Sequence, residues 1–192
     1  MAGRYDKEDL KRALDVLHQG GLILYPTDTV WGIGCDATNY EAVGRLFKLK
    51  NRDSEMPLIV LLDQPGKIVQ FVDEMPELAW DIMEVSEKPL TIIYGGAKNI
   101  AANVLAVDGS VGIRVTKELF SQTLCQRFRK PIVSTSANIS GVPTPKSFNE
   151  IEHDIISGVD YVVKYRQDDG DLCTPSGVLR LGIHGEIEII RE

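Results

Sequence analysis

The chain has 192 residues, 43% of them hydrophobic and 26% charged, with 21 Lys and Arg against 28 Asp and Glu. That composition excludes a disordered chain, and the length suffices to bury a core without a disulfide or metal staple. The formal charge of -7 disfavours an extended nucleic-acid surface, and no apolar run approaches the ~20 residues that span a bilayer.

Asp6, Glu8 and Asp9 stand where a signal peptide needs its apolar stretch, so the chain is expected to be cytoplasmic. Asp6 caps a helix to about Gln19, with Leu10, Ala13, Leu14 and Leu17 on one face. Gly20-Gly21 ends it, and Leu22 to Tyr25 reads as a buried strand stopped by Pro26. The polar segment from Pro26 to Gly34 then reads as a loop at the end of that strand. Tyr40 to Lys50 fits a second helix, and the continuous apolar run Leu58 to Leu62 fits a strand covered on both faces.

A helical region broken at Pro76 resumes through Trp80 and Val85 and leads into a strand at Leu90 to Tyr94. Further on, the pattern gives a strand at Val111 to Val115, a helix at Glu118 to Phe128 and a strand at Pro131 to Ser134. That strand enters a loop to Ser147 dense in Ser and Thr. Val159 to Val163 is a strand, Gln167 to Asp171 a mobile polar loop, and Val178 to Leu181 pairs with Glu186 to Ile190 around His184-Gly185. The expectation is one α/β domain over 1–192, with a mixed sheet because a terminal hairpin cannot be parallel.

Cys35, Cys125 and Cys173 are far apart and odd in number, which reads as buried thiols and no direct metal site. No Walker A sequence is present, and Gly32-Ile33-Gly34 fails the dinucleotide spacing because Cys35-Asp36-Ala37 follows. His18, His153 and His184 stand beside no nucleophile, so a catalytic triad has no support. Charge is uneven. The first 96 residues hold 10 Lys and Arg against 16 Asp and Glu, yet Arg45, Lys48, Lys50 and Arg52 cluster without an intervening carboxylate. Such a local patch on an acidic chain suits a small anion.

Two segments remain unusual. In Tyr25–Gly34, hydroxyls, a carboxylate and two glycines follow a buried strand, either as a ligand loop at the sheet's end or as a polar turn satisfying its own backbone. Between Ser134 and Pro145, hydroxyls and Asn138 can serve a phosphate or ribose, or merely solvate a connection. Lys50 and Arg52 at a helix end can bind an anion or simply complement the helix dipole.

Taken in order, Pro26-Thr-Asp-Thr-Val-Trp-Gly-Ile-Gly34, Lys50-x-Arg52, Pro57-Leu-Ile-Val60, Val111-Gly-Ile-Arg114, Ser136-Ala-Asn138 with Ser140-Gly141, Ser176 and Arg191 carry a likeness along nearly the whole chain. The sequence resembles the YrdC-like threonylcarbamoyl-AMP synthases of the single-domain TsaC type. The resemblance implies a twisted mixed sheet with flanking helices around a concave, positively lined cavity. It implies synthesis of threonylcarbamoyl-AMP and pyrophosphate from L-threonine, bicarbonate or CO2, and ATP with Mg2+. The product would serve the threonylcarbamoyl modification of adenosine 37 in ANN-decoding tRNAs. Separate transferase proteins would act downstream, and tRNA binding by this chain would be weak.

Carried over by position, Lys50 and Arg52 are the implied catalytic pair, holding triphosphate and developing charge. Arg52, Ser110, Ser136, Asn138, Thr144 and Arg191 are implied nucleotide contacts. Thr29, Arg114, Ser134 and Ser176 are implied threonine contacts, with Asp28 an indirect magnesium contact. Trp31, Asp53, Met56, Leu61 and Ser86-Glu-Lys-Pro89 depart from the family pattern, and Leu61 is expected to pack rather than select the amino acid.

Overall fold

In the computed structural model, which describes residues 5–52, 58–169 and 174–192, local signals set most element boundaries. Helix α1 (Lys7–His18) starts where the Asp6 carboxylate accepts the Glu8 N–H at 2.9 Å. Helix α2 (Tyr40–Leu49) is capped by Asn39, which accepts from Glu41 and Ala42. Helix α4 (Leu119–Phe128) is capped by the Glu118 carboxylate and closed by Arg129 in the left-handed region, φ 61°. Helix α3 (Glu77–Val85) starts after Pro76, and α5 (His153–Gly158) is short.

Among the described residues, nine strands share one mixed sheet: β1 (Ile23–Tyr25), β2 (Gly32–Gly34), β3 (Ile59–Leu62), β4 (Leu90–Tyr94), β5 (Val111–Val115), β6 (Ile132–Ser136), β7 (Tyr161–Val162), β8 (Gly177–Leu181) and β9 (Ile187–Arg191). Their order is β7-β1-β2-β6-β3-β5-β4-β8-β9. The pairs β1·β7, β3·β5 and β4·β8 are parallel and the rest antiparallel.

Two differences from the sequence reading matter. Gly32–Gly34 is a strand between β1 and β6, where a continuous loop was expected. Three residues with two glycines give no period-two signal, so only tertiary pairing defines it. Strand β6 also runs two residues further, to Ser136, so its hydroxyls lie on the sheet rather than in a loop.

Cross-strand partners share a face. The pairs Ile59–Ser134, Ile59–Gly112, Leu61–Arg114 and Thr91–Arg114 therefore put Arg114, Ser134 and Thr91 on one face. Part of that face is roofed by α1 and α4, whose Leu10, Leu17, Phe120 and Leu124 pack on Ile23, Tyr25, Leu61 and Ile132. The opposite face carries the larger core, with Val60, Ile113 and Val133 against α2 residues such as Val43 and Leu46. The roof stops short of Arg114 and Ser134, and there the sheet opens into a cavity. Among the described residues, no helix is long and apolar enough to cross a membrane.

Candidate active site

The cavity has a volume of about 200 Å³, and its wall brings together Thr29, Arg52, Arg114, Ser134, Ser136, Thr144, Ser176 and Arg191 from segments far apart in sequence. Gly32 belongs to its floor. A Cβ there would meet Ser134 Oγ at 3.2 Å, so glycine keeps the serine's surroundings open. Three guanidiniums thus converge on a hydroxyl-rich hollow, an arrangement that serves a multiply charged anion.

Arg114 and Arg191 are held differently. Arg114 rises from β5 with only 5% of its side chain exposed, and its Nε lies 3.2 Å from Asp28 Oδ1, an ion pair not aligned as a hydrogen bond. Its Nη2 donates to Thr27 Oγ1 at 3.5 Å. Arg191, at the end of β9, donates from Nε to Ser176 O at 2.9 Å, with Nη2 3.4 Å from Ser176 Oγ. Burial lowers the proton affinity of Arg52 and Arg191, and the charge of Arg114 adds to the effect at Arg191. Arg52 and Arg191 nonetheless stay charged near neutrality.

Lys50 reaches the site from behind. It ends α2 and is buried, and Nζ donates to Asn138 O at 2.5 Å and also to Ser136 O. Burial and then the neighbouring Arg52 push its ammonium down to about 7. Ser140 N–H donates back to Lys50 O at 2.9 Å, so α2 and the segment after β6 are stitched together. Asn138 Nδ2 donates to Ile139 O and Val142 O, while its buried Oδ1 has no hydrogen-bond partner. Lys50 and Asn138 therefore shape the wall that presents Ser136 and Thr144, but they do not line the cavity.

Ser110 lies beside an adjoining, mostly apolar slot of about 160 Å³ that shares Leu58 and Ile59 with the main cavity. Asp28 pairs with Arg114 without lining the main cavity itself, and it borders a separate hollow of about 570 Å³ that includes Ser86, Glu87, Lys88 and Pro89. Among the described residues, no three His, Cys, Asp or Glu gather to hold a metal ion. Of the family departures, Leu61 is fully buried under α1 and α4, and Trp31 packs on Phe148 with ring centroids 4.9 Å apart. Asp53, Met56 and Cys173 lie outside the described residues.

Sequence reasoning missed Thr91, whereas Thr27 takes the backbone-satisfying role that the polar-turn reading of Tyr25–Gly34 offered. Thr91 Oγ1 lies 2.9 Å from Ser176 Oγ, and Thr27 Oγ1 donates to Val30 O while accepting from Thr29 N–H. A lone Thr within the apolar strand Leu90–Tyr94, in register with Arg114, was the available signal.

Comparison with known proteins places the chain in a family. The Sua5/YciO/YrdC family model, described as telomere recombination, matches residues 15–192. The chain belongs to this family. The threonylcarbamoyl-AMP synthase of Pseudoalteromonas translucida is 36% identical over 162 residues, 82% of this chain and 86% of that one. The enzyme of the same description from Xanthomonas euvesicatoria is 31% identical over 90% of this chain and 93% of its own.

Among solved structures, P. abyssi Sua5 complexed with L-threonine superposes with a TM-score of 0.82 at 25% identity, covering 93% of this chain. The present chain spans about half of that one, 52%. E. coli YciO, at 21% identity and a TM-score of 0.84, shares the fold across all of this chain and 92% of its own. At the family level the activity is that of a threonylcarbamoyl-AMP synthase.

Proposed function

We propose that this chain condenses L-threonine with bicarbonate or CO2 and transfers the resulting carbamate onto the α-phosphorus of ATP, giving threonylcarbamoyl-AMP and pyrophosphate. The observation that carries the reading is the convergence of Arg52, Arg114 and Arg191 on one hydroxyl-lined cavity. The chemistry needs little from a protein base. Threonine's amine attacks the carbon of CO2, or of bicarbonate with loss of hydroxide, and sheds a proton to form a carbamate. A carbamate oxygen then attacks the α-phosphorus, and the bond to the bridging oxygen of pyrophosphate breaks. Charge builds on phosphate oxygens throughout, so fixed cations and N–H or O–H donors supply the catalysis.

In this reading Arg114 takes the threonine carboxylate, with Thr29, Ser134 and Ser176 around the amino acid. Arg52 and Arg191 take phosphate, and Ser136 and Thr144 donate to the nucleotide. Asn138 braces the wall from behind through Nδ2, bonded to Ile139 O and Val142 O, and Ser110 stands at an apolar slot suited to a purine. Lys50 supports the pair by holding the Ser136–Asn138 backbone against Arg52. Magnesium enters as part of the MgATP substrate. The cationic lining suits phosphates rather than a resident cation, and Asp28 is the carboxylate offered for an indirect contact.

The product would pass to separate transferase proteins that modify adenosine 37 of ANN-decoding tRNA, in the cytoplasm, with only weak tRNA binding here. The test is pyrophosphate release from MgATP with threonine and bicarbonate each present or omitted. Release that needs both supports the reading; release independent of threonine contradicts it.

A further inference from the structure

Arg166 lies outside the cavity, in the segment after β7, yet it is tied to the turn that carries the proposed threonine contacts. Its Nη1 donates to Thr27 O at 3.2 Å, and its Nε pairs with Asp169. Its backbone sits at φ 66°, a left-handed conformation that side chains other than Gly, Asn and Asp rarely adopt. A residue serving only to turn the chain there would more economically be glycine. An arginine in that conformation aims a guanidinium at a particular carbonyl.

The base of this lever is fixed. Buried Asp9 of α1 accepts from Tyr161 Oη at 2.7 Å, from Lys164 N at 3.0 Å and from Tyr165 N at 3.0 Å. The Tyr165 ring stacks on Phe120 of α4 at 5.8 Å. The far end is equally defined. Thr27 Oγ1 accepts the Thr29 N–H at 3.0 Å and donates to Val30 O at 2.8 Å, while Asp28 faces Arg114. A continuous line of contacts therefore runs from α1 through Arg166 and the Thr27–Thr29 turn to Arg114.

We propose that Arg166 is a positioning residue for the threonine subsite, its guanidinium locking the Thr27 carbonyl so that Thr29 and the Asp28–Arg114 pair keep their orientation. The inference rests on the proposed function for the identity of the ligand, though the locking of the turn does not. The test uses Arg166→Gly, which removes the contact while easing the backbone, and Arg166→Lys, which keeps a donor.

Threonine and MgATP affinities are read by calorimetry, stability by thermal melting, and the turn by hydrogen exchange at the Thr29 amide. Arg166→Gly should weaken threonine binding about 10-fold, the scale of a small misplacement of binding groups, and leave MgATP binding within about twofold. Its melting temperature should stay equal or rise, its Thr29 amide should exchange at least ~10-fold faster, and Arg166→Lys should restore threonine binding to within about threefold. Unchanged exchange at Thr29, or a parallel loss of both ligands, overturns the inference. A wild-type chain that binds no threonine overturns the proposed function instead, and faster Thr29 exchange in Arg166→Gly then still upholds the positioning role.

Discussion

At the residue scale the site depends on charges held in fixed directions. Arg52→Ala and Lys50→Ala should each lower threonylcarbamoyl-AMP formation at least ~100-fold, the scale of losing a preorganised electrostatic donor. They should fail differently. Arg52→Ala removes a group on the cavity wall, whereas Lys50→Ala releases the Ser136 and Asn138 carbonyls behind it. Rescue by added guanidinium is therefore expected for Arg52→Ala and not for Lys50→Ala; the reverse pattern would exchange their roles. The ammonium of Lys50 sits near 7, below its ordinary 10.5, through burial and Arg52. Because the unfolded chain binds that proton more tightly, its contribution to stability rises with pH from about 7 towards 10.5. Phosphate arriving beside Arg52 should favour the charged amine. MgATP binding at pH 8 should thus take up protons, visible in calorimetry across buffers of different ionisation enthalpy. Equal uptake in folded Lys50→Met would remove Lys50 as the source.

At the element scale, the β1–β2–β6 ribbon fixes the floor and the threonine turn together. Gly34 allows that packing, since a Cβ there would lie 2.6 Å from Tyr25 Cε1 and 2.9 Å from Val133 O. Gly34→Ala should destabilise the chain by about 1–3 kcal/mol, as overpacking does, read by denaturant unfolding. A neutral result would show that the ribbon has slack. This ribbon is also where sequence reasoning stopped. Helices α1, α2 and α4 were legible because caps and apolar spacing are local, and the terminal hairpin because His184-Gly185 is a local turn signal. Strand β2 was not, because its only signal is its neighbours on both sides. The site was legible as a set of motifs, and eight of the expected residues do share one wall. The sequence could not tell that Lys50 points at backbone carbonyls or that Asp28 faces Arg114, since both depend on side-chain direction across non-local contacts. For Thr27 the sequence left two readings open for a related reason: a hydroxyl that serves the backbone looks the same in sequence as one that serves a ligand.

At the scale of the whole molecule, an acidic chain with formal charge -7 concentrates three arginines in one cavity. Attraction is therefore local to the cavity and the general surface repels polyanions. MgATP binding should weaken several-fold between 50 and 300 mM salt, while tRNA binding should remain weak across the same series. Tight, steeply salt-dependent tRNA binding without ATP turnover would point to an RNA-binding role on this scaffold. Pyrophosphate release alone does not separate a carbamoylated product from direct activation of threonine's carboxylate, which also releases pyrophosphate. The most direct measurement is therefore the mass of the nucleotide product formed from MgATP, L-threonine and 13C-labelled bicarbonate. Threonylcarbamoyl-AMP with one labelled carbon in its carbamoyl group, absent when bicarbonate is withheld, is the predicted result. An unlabelled threonyl-AMP, or AMP and pyrophosphate formed without threonine, would contradict the assignment.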